Sequence, residues 1–337
     1  MARLPKNDKV VDIGTIAAAL GVSKTTVSRA ISGNGRVGAA TRQRVQDYVK
    51  EHNYTPSVMA RGLAMRCSYN ISLVISKQFS DFEMPFLRKT MRSVYQVAED
   101  CDYDVLLTLV GENETRPVER LLDNRKDGLI LTRTLERDPL IPLLKSRKLP
   151  FVAIGRPEDP TVMSVDHDQI GGCRELTSLL LMKGMKRIAL LGGTMLYTVN
   201  MSRLEGFKQA YDMMDQKIDE SLLFLELETD DLRMQAVSQA LERKPDCILC
   251  MDDRLTLLAM NMLKQQGVRV PQDIRVASLY DSSALAESSP AITAVQFDAY
   301  ALGRKATQQL LQVLKGREVE TRVELGYQVS MRESTKT

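Results

Sequence analysis

Apolar residues recur in two different rhythms along this 337-residue chain. Between residues 12 and 32 they return every three or four positions, as Ile13, Ile16, Ala17 and Leu20, then Val27, Ala30 and Ile31. That spacing predicts two short helices, each with one face turned inward. Asp12 is placed to cap the first helix, Gly21 to break it, and Ser23 to cap a second running from Lys24 to Ile31. Gly33-Asn34-Gly35 then ends the second helix, and a third is expected over roughly Ala39 to Glu51. It would pack Ala40, Val45, Tyr48 and Val49 against the pair.

After Cys67 the rhythm changes. Short β-rich runs alternate with amphipathic helical stretches, which predicts parallel sheets covered by helices. Strands are expected to start near Ile71, Val105, Leu129 and Phe151, and again near Ile188, Leu222, Ile248 and Ile274. The intervals, 34, 24 and 22 residues followed by 34, 26 and 26, suggest two similar lobes. Asp127-Gly-Leu-Ile-Leu and Asp246-Cys-Ile-Leu-Cys occupy matching places in them. The late segments Ile292–Phe297 and Val323–Ser330 are available to carry the chain back between the lobes. Parallel sheets bind ligands beyond the carboxyl ends of their strands, so the cleft between the lobes is the expected ligand site.

Charge divides the chain at the same place. The whole carries a net +3, but residues 1–66 hold 11 basic and 4 acidic side chains, a net +7, and the remainder carries −4. A basic head on an acidic body points to a polyanion partner for the head alone. An apolar fraction of 44% supports real cores. No run of about eighteen apolar residues occurs, and Met1-Ala2-Arg3-Leu4-Pro5-Lys6 lacks a secretory core, so a cytoplasmic protein without a membrane segment is expected. Five cysteines without framework spacing read as reduced thiols. Cys247-Ile-Leu-Cys250 lies in an apolar run and reads as buried strand rather than zinc or redox chemistry. With only two histidines, His52 and His167, no metal or other cofactor is expected.

The outer face of the second helix carries Lys24, Thr25, Ser28 and Arg29, short hydroxyls among cations with no acid. Helix-turn-helix recognition needs that chemistry: cations and the helix N-terminus meet phosphates, while Thr, Lys and Arg reach base edges in the major groove. At this point the string Ile16-Ala17-Ala18-Ala19-Leu20-Gly21-Val22-Ser23-Lys24-Thr25-Thr26-Val27-Ser28-Arg29-Ala30-Ile31-Ser32-Gly33 resembles the headpiece of the lactose/galactose-repressor (LacI/GalR) family of bacterial transcription factors. Thr41-Arg42, Asn53-Tyr54-Thr55-Pro56 and Ala60-Arg61-Gly62-Leu63 continue the resemblance in order. It implies that Lys24, Thr25 and Arg29 read bases, with Ser23, Thr26 and Ser28 nearer the phosphates. Asn34, Tyr54 and Ala60 join the DNA-contacting set. Pro56 to Leu63 would be a hinge helix that forms on operator DNA, with Leu63 as a minor-groove wedge. Gly14 and Gly38 depart from the family, which usually has a longer polar residue and a serine cap at these places. Both departures bear on headpiece stability.

The resemblance covers the whole chain, through Ser330-Met331-Arg332-Glu333-Ser334. The fold it implies is an all-α helix-turn-helix headpiece (8–56), a hinge (57–68) and an α/β core (69–337). That core is two-lobed and like the periplasmic sugar-binding proteins, with parallel sheets. One subdomain spans about 69–165 plus 297–323 and the other about 166–296 plus 324–334, with crossovers near Asp166, Phe297 and Glu324. Arg203 matches the family arginine that forks onto sugar hydroxyls or a carboxylate; otherwise it forms a surface ion pair with Glu205 or Asp212. Asp252 either accepts ligand hydroxyls or caps the next helix, and Asp166 has the same two options. Phe86, with Phe79 and Phe297, either stacks on a sugar face or belongs to the core. Met84 before Pro85, Gly155 and Tyr280 depart from the family's asparagine, aspartate and acid. They make the pocket more apolar than a minimal monosaccharide site, which favours a larger glycoside or an aromatic-bearing ligand.

These readings converge on a sequence-specific repressor of a carbohydrate-utilisation operon. It would act as a homodimer on a palindromic double-stranded operator, controlled by a small sugar or glycoside in the cleft. A tail able to make a tetramer is not evident after Arg332-Glu333-Ser334. A corepressor-dependent regulator sensing another metabolite is the alternative within the class. A solute-binding protein without a regulatory role fits poorly beside the headpiece. An enzyme fits no better: there is no phosphate loop, and Gly192-Gly193 lacks dinucleotide-binding spacing.

Overall fold

The computed structural model describes residues 12–32, 35–52, 54, 67–76, 84–111, 118–119, 121–122, 126–132 and 134–336. Contacts divide the chain into two units, Met1–Tyr69 and Asn70–Thr337. The first contains α1 (Ile13–Leu20), α2 (Lys24–Ser32) and α3 (Ala39–Glu51). Asp12 caps α1 by accepting the Thr15 N–H at 2.7 Å, and Gly21 closes it in the left-handed conformation (φ 64°), where a side chain would be strained. Ser23 Oγ accepts the Thr26 N–H at 3.0 Å and so caps α2. Ile16, Ala17, Val27, Ala30 and Val45 form the core, with Tyr48, Val49 and Tyr54 packed around it. Ala40, expected among them, is instead exposed, because the inward stripe of α3 is centred on Val45. Arg44 donates to the Leu20 carbonyl at 3.1 Å, tying α3 to the end of α1. Gly38 offers no side-chain cap to α3.

The second unit has two six-stranded sheets. β1 (Asn70–Ser76), α4 (Met84–Glu99), β2 (Asp104–Val110), β3 (Gly128–Leu131), α5 (Leu140–Ser146), β4 (Phe151–Ile154) and β5 (Ser164–His167) belong to the first lobe. α6 (Gln169–Met182), β6 (Ile188–Leu191), α7 (Thr198–Met213), β7 (Leu223–Phe224), α8 (Asp230–Glu242), β8 (Cys247–Cys250), α9 (Asp253–Gln265), β9 (Arg275–Ser278), α10 (Ser283–Ala286) and β10 (Thr293–Gln296) follow in the second. α11 (Ala299–Leu314) returns to pack on α4 and leads to β11 (Arg322–Leu325) and β12 (Gln328–Ser330). The strand orders are β11-β5-β4-β3-β1-β2 and β12-β10-β9-β8-β6-β7.

Among the described residues, all ladders are parallel except β10 with β12. The expected late segment 323–330 is therefore two strands, one in each sheet, because the chain crosses between lobes after Leu325. The matching Asp motifs have the same job: Asp127 N–H bonds Asn70 O at 2.8 Å, and Asp246 N–H bonds Arg187 O at 2.7 Å. Each enters the third strand of its lobe beside the first. The buried strands β3, β4, β6 and β8 are apolar throughout, since helices cover both faces. Cys247 and Cys250 join opposite faces of β8, in different core clusters, so they do not face each other as a redox pair. Burial raises both thiols well above the ordinary range. No helix among the described residues is long and apolar enough to cross a membrane.

Candidate functional site

In the head, α2 buries Val27 and Ala30 and leaves Ser23, Lys24, Thr25 and Arg29 exposed, with Thr26 and Ser28 partly so. The result is a helix whose outer face consists of hydroxyls and cations. Ser23 Oγ and Thr26 Oγ1 are also 2.8 Å apart, so the capping pair is held in place. Gly35 lies against the stem of Arg29: a Cβ there would stand 3.0 Å from Arg29 Cδ. Lys24 approaches Asp12, whose carboxyl is lowered chiefly by the Thr15 backbone and hydroxyl hydrogen bonds. A side chain at Gly14 would press on both, with its Cβ 3.2 Å from Asp12 Oδ1 and from Lys24 Cε. The ring of Tyr54 packs on the headpiece core. Asn34, Ala60, Leu63 and the hinge from Pro56 to Leu63 lie outside the described residues.

In the body, residues at or beyond strand ends of the two lobes meet, as Thr134 does with Thr198 and His167 with Phe297. Arg203 rises from α7 and is only 7% exposed. Its Nη1 donates to the Met251 carbonyl at 2.6 Å, its Nε to Gln169 Oε1 at 3.3 Å, and its guanidinium lies 5.6 Å from the Tyr280 ring centre. The alternative of a surface ion pair with Glu205 or Asp212 does not hold for a guanidinium buried in this way. Tyr280, just past β9, meets Phe86 of α4 edge-on at 6.4 Å and stacks with Phe297 at 6.5 Å. Phe297, just past β10, also touches the His167 ring at 5.2 Å and Tyr327 at 6.4 Å. The rings thus run from one lobe to the other. Phe297 is at the same time a core residue of the second lobe. Burial raises the Tyr280 phenol above its ordinary value.

Asp166 and Asp252 part company. Asp252 caps α9, accepting the Leu255 N–H at 2.8 Å, which answers to its capping alternative. Asp166 caps nothing; the cap of α6 is Asp168, which accepts the Gly171 N–H at 2.7 Å. Asp166 accepts the adjacent His167 N–H at 2.8 Å, and its carboxyl is pushed up to about 6, mainly by burial, against the pull of that N–H and of Arg203. Asp281 is held by Arg332 at 2.5 Å and by Gln296 at 2.9 Å, so it braces the C-terminal segment.

Gly155 has φ +117°, and a Cβ there would lie 2.8 Å from Thr134 Oγ1, so an acid at this place does not fit the present arrangement. Pro85 is exposed in the first turn of α4, where its missing N–H costs no helix bond. Met84 begins that helix, and its side chain lies outside the described residues, as does Phe79.

A clasp joins the lobes beside Gly155. Leu135 and Tyr197 form an antiparallel bridge, Glu136 N–H donates to Leu196 O at 2.9 Å, and Thr198 N–H donates to Thr134 O at 3.2 Å. Next to it, Gly155, Asp166, His167, Gln169 and Ser202 line a cavity of about 100 Å³ that extends to Glu324 of β11. His167, Gln169 and Ser202 were not singled out from the sequence. A lone histidine and two ordinary polar residues carry no spacing signal; only the crossing of the chain brings them together.

Residues 12–57 match the model of the lacI family of bacterial regulatory proteins, and residues 177–335 match the periplasmic binding protein-like domain. The transcriptional regulator CelR of Thermobifida fusca is 30% identical over 95% of this chain and 96% of its own length. MalR of Staphylococcus xylosus is 28% identical over 92% and 93%. A solved CelR–cellobiose complex superposes with a TM-score of 0.73 at 29% identity, covering 96% of this chain and 99% of that one. The Lac repressor dimer bound to operator shares the fold, with a TM-score of 0.82 at 24% identity over 98% and 100%. The chain belongs to the lacI family of bacterial regulatory proteins and is a DNA-binding transcriptional regulator, with a helix-turn-helix head and a two-lobed periplasmic-binding-protein-like body.

Proposed function

We propose that this regulator represses a carbohydrate-utilisation operon in the cytoplasm, releasing or gripping a palindromic operator according to a small sugar or glycoside in the interlobe cleft. The observation that carries the effector class is the row of rings Phe86, Tyr280 and Phe297 beside Asp166 and Arg203. Stacked rings suit the apolar face of a pyranose, and buried acceptors suit its hydroxyls. The named CelR–cellobiose complex supports a disaccharide-sized ligand. Lys24, Thr25 and Arg29 would read bases, with Ser23, Thr26 and Ser28 on phosphate. A homodimer is supported by β2, an edge strand that exposes Leu106, Leu107 and Leu109 beside exposed Tyr95. An apolar open edge of this kind calls for a second copy. Headpiece, hinge and core would divide at about residues 56 and 68.

Ligand and operator are coupled only if the ligand binds the DNA-competent and incompetent states unequally. The test is fluorescence anisotropy of a labelled palindromic duplex against a thermal-shift panel of disaccharides. Specific, steeply salt-dependent binding that a disaccharide shifts is the expected result. Binding random duplex equally well would sink the operator reading. A shift with a non-sugar metabolite alone would transfer the reading to a corepressor.

A further inference from the structure

His167 is 4% exposed, yet its Nε2 has no hydrogen-bond partner among the described residues. Buried polar atoms are almost always paired, so an orphan lining a cavity points to something that enters it. Burial holds the imidazole neutral, down to about 4, against the charge and backbone of Asp298. A neutral imidazole that donates from one nitrogen towards the Asp298 backbone has Nε2, the partnerless nitrogen, as its acceptor. The cavity it lines is several times larger than one water needs, and Asp166 beside it is a second acceptor. Phe297 holds the ring at 5.2 Å, and β5 holds the backbone in register with β4 and β11.

We propose that His167 Nε2 is a ligand-binding atom: it accepts a hydrogen bond from one hydroxyl of a neutral carbohydrate and so selects a ligand that has a donor at that position. This deepens the effector reading above and rests on it. Gln169, on the same cavity, carries an amide donor bonded towards Asp166, and Arg203 donates to Gln169 behind it, so acceptors and donors alternate along this wall as a polyhydroxylated ring requires.

The experiment is calorimetry of the full chain with cellobiose and maltose, followed by the monodeoxy derivatives of whichever binds. His167→Phe keeps the ring packing and removes the acceptor; His167→Gln keeps an acceptor. Expected is a loss of tenfold or more in His167→Phe, with His167→Gln within about threefold of wild type. One deoxy derivative should bind wild type at least tenfold more weakly than the parent sugar, yet bind His167→Phe as well as the parent does. The chain has only two histidines, so the His167 nitrogen resonances can be assigned by comparison with the variant. The Nε2 signal should move on addition of the sugar. Equal sugar affinity in wild type and a folded His167→Phe, or an unmoved Nε2 signal on saturation, overturns the His167 role and leaves the sugar reading standing. Wild type that binds neither sugar overturns the disaccharide reading and this proposal together. Thermal melting of both variants separates misfolding from lost contact, and a stable His167→Gln that loses binding fully also counts against a simple acceptor role.

Discussion

The two surfaces proposed to read operator and effector are built in opposite ways. On the head, Lys24, Thr25 and Arg29 stand exposed on a short helix whose inner face does the folding. In the cleft, Arg203 and His167 are withdrawn from solvent, Asp166 is half-buried, and all three are already engaged with the protein. An exposed reader can change specificity without changing stability. A buried sensor cannot, since Arg203 also ties α7 to the end of β8 and His167 packs on Phe297.

Arg203→Ala puts the greatest strain on that contrast. It removes the donor to Met251 and the cation beside Tyr280, and it is expected to abolish the effector response. Because buried charge-assisted bonds are lost as well, unfolding should be easier by about 2–3 kcal/mol in urea titration. An unchanged melt with a lost response would mean that sensing and folding are separable here too.

Acid should expose the same coupling. His167, lowered from 6.5 to about 4 by burial, contributes stability that is complete above pH 6.5 and lost as pH falls to 4. Asp166, raised from 3.8 to about 6, works the other way, favouring the fold below pH 3.8 and losing that contribution as pH rises to 6. The two slopes oppose each other between pH 4 and 6. His167→Phe leaves only the Asp166 slope, so its stability relative to wild type should climb by on the order of 3 kcal/mol from pH 6.5 to 4. Parallel curves would remove the buried imidazole from this account.

Arg29→Ala tests the reader. Operator affinity should fall by about 1–3 kcal/mol, with melting unchanged, in anisotropy and calorimetry. The smallest effect is on the scaffold of that reader. Gly38, at φ −58° with open space around its Cβ position, accepts serine without strain. Gly38→Ser should stabilise α3 by a few tenths of a kcal/mol and leave base reading untouched.

The same contrast explains what could be read directly. Helix caps, the Gly21 turn and the cationic face of α2 depend on neighbours within four residues, so the local pattern contained them. The misplaced Ala40 shows the limit, as periodicity alone does not say where an inward stripe ends. Strand positions in the body were legible for the same reason, as apolar runs between helical stretches. The cleft was legible only in part. Asp252 and Asp166 offered equal alternatives from sequence, and the fold separated them by giving one a helix N-terminus and the other a place at the end of β5.

By itself, then, the sequence determined a basic three-helix reader, an acidic body of two repeated βα lobes, and the residues that face outward from α2. The tertiary structure alone decided that Arg203 is buried, that Gly155 adjoins a clasp between lobes, and that His167 Nε2 has no hydrogen-bond partner among the described residues. The reason is distance along the chain. Thr134 meets Thr198, Arg203 meets Met251, and Phe86 meets Tyr280 only after three crossings between lobes bring the ends of the two sheets together.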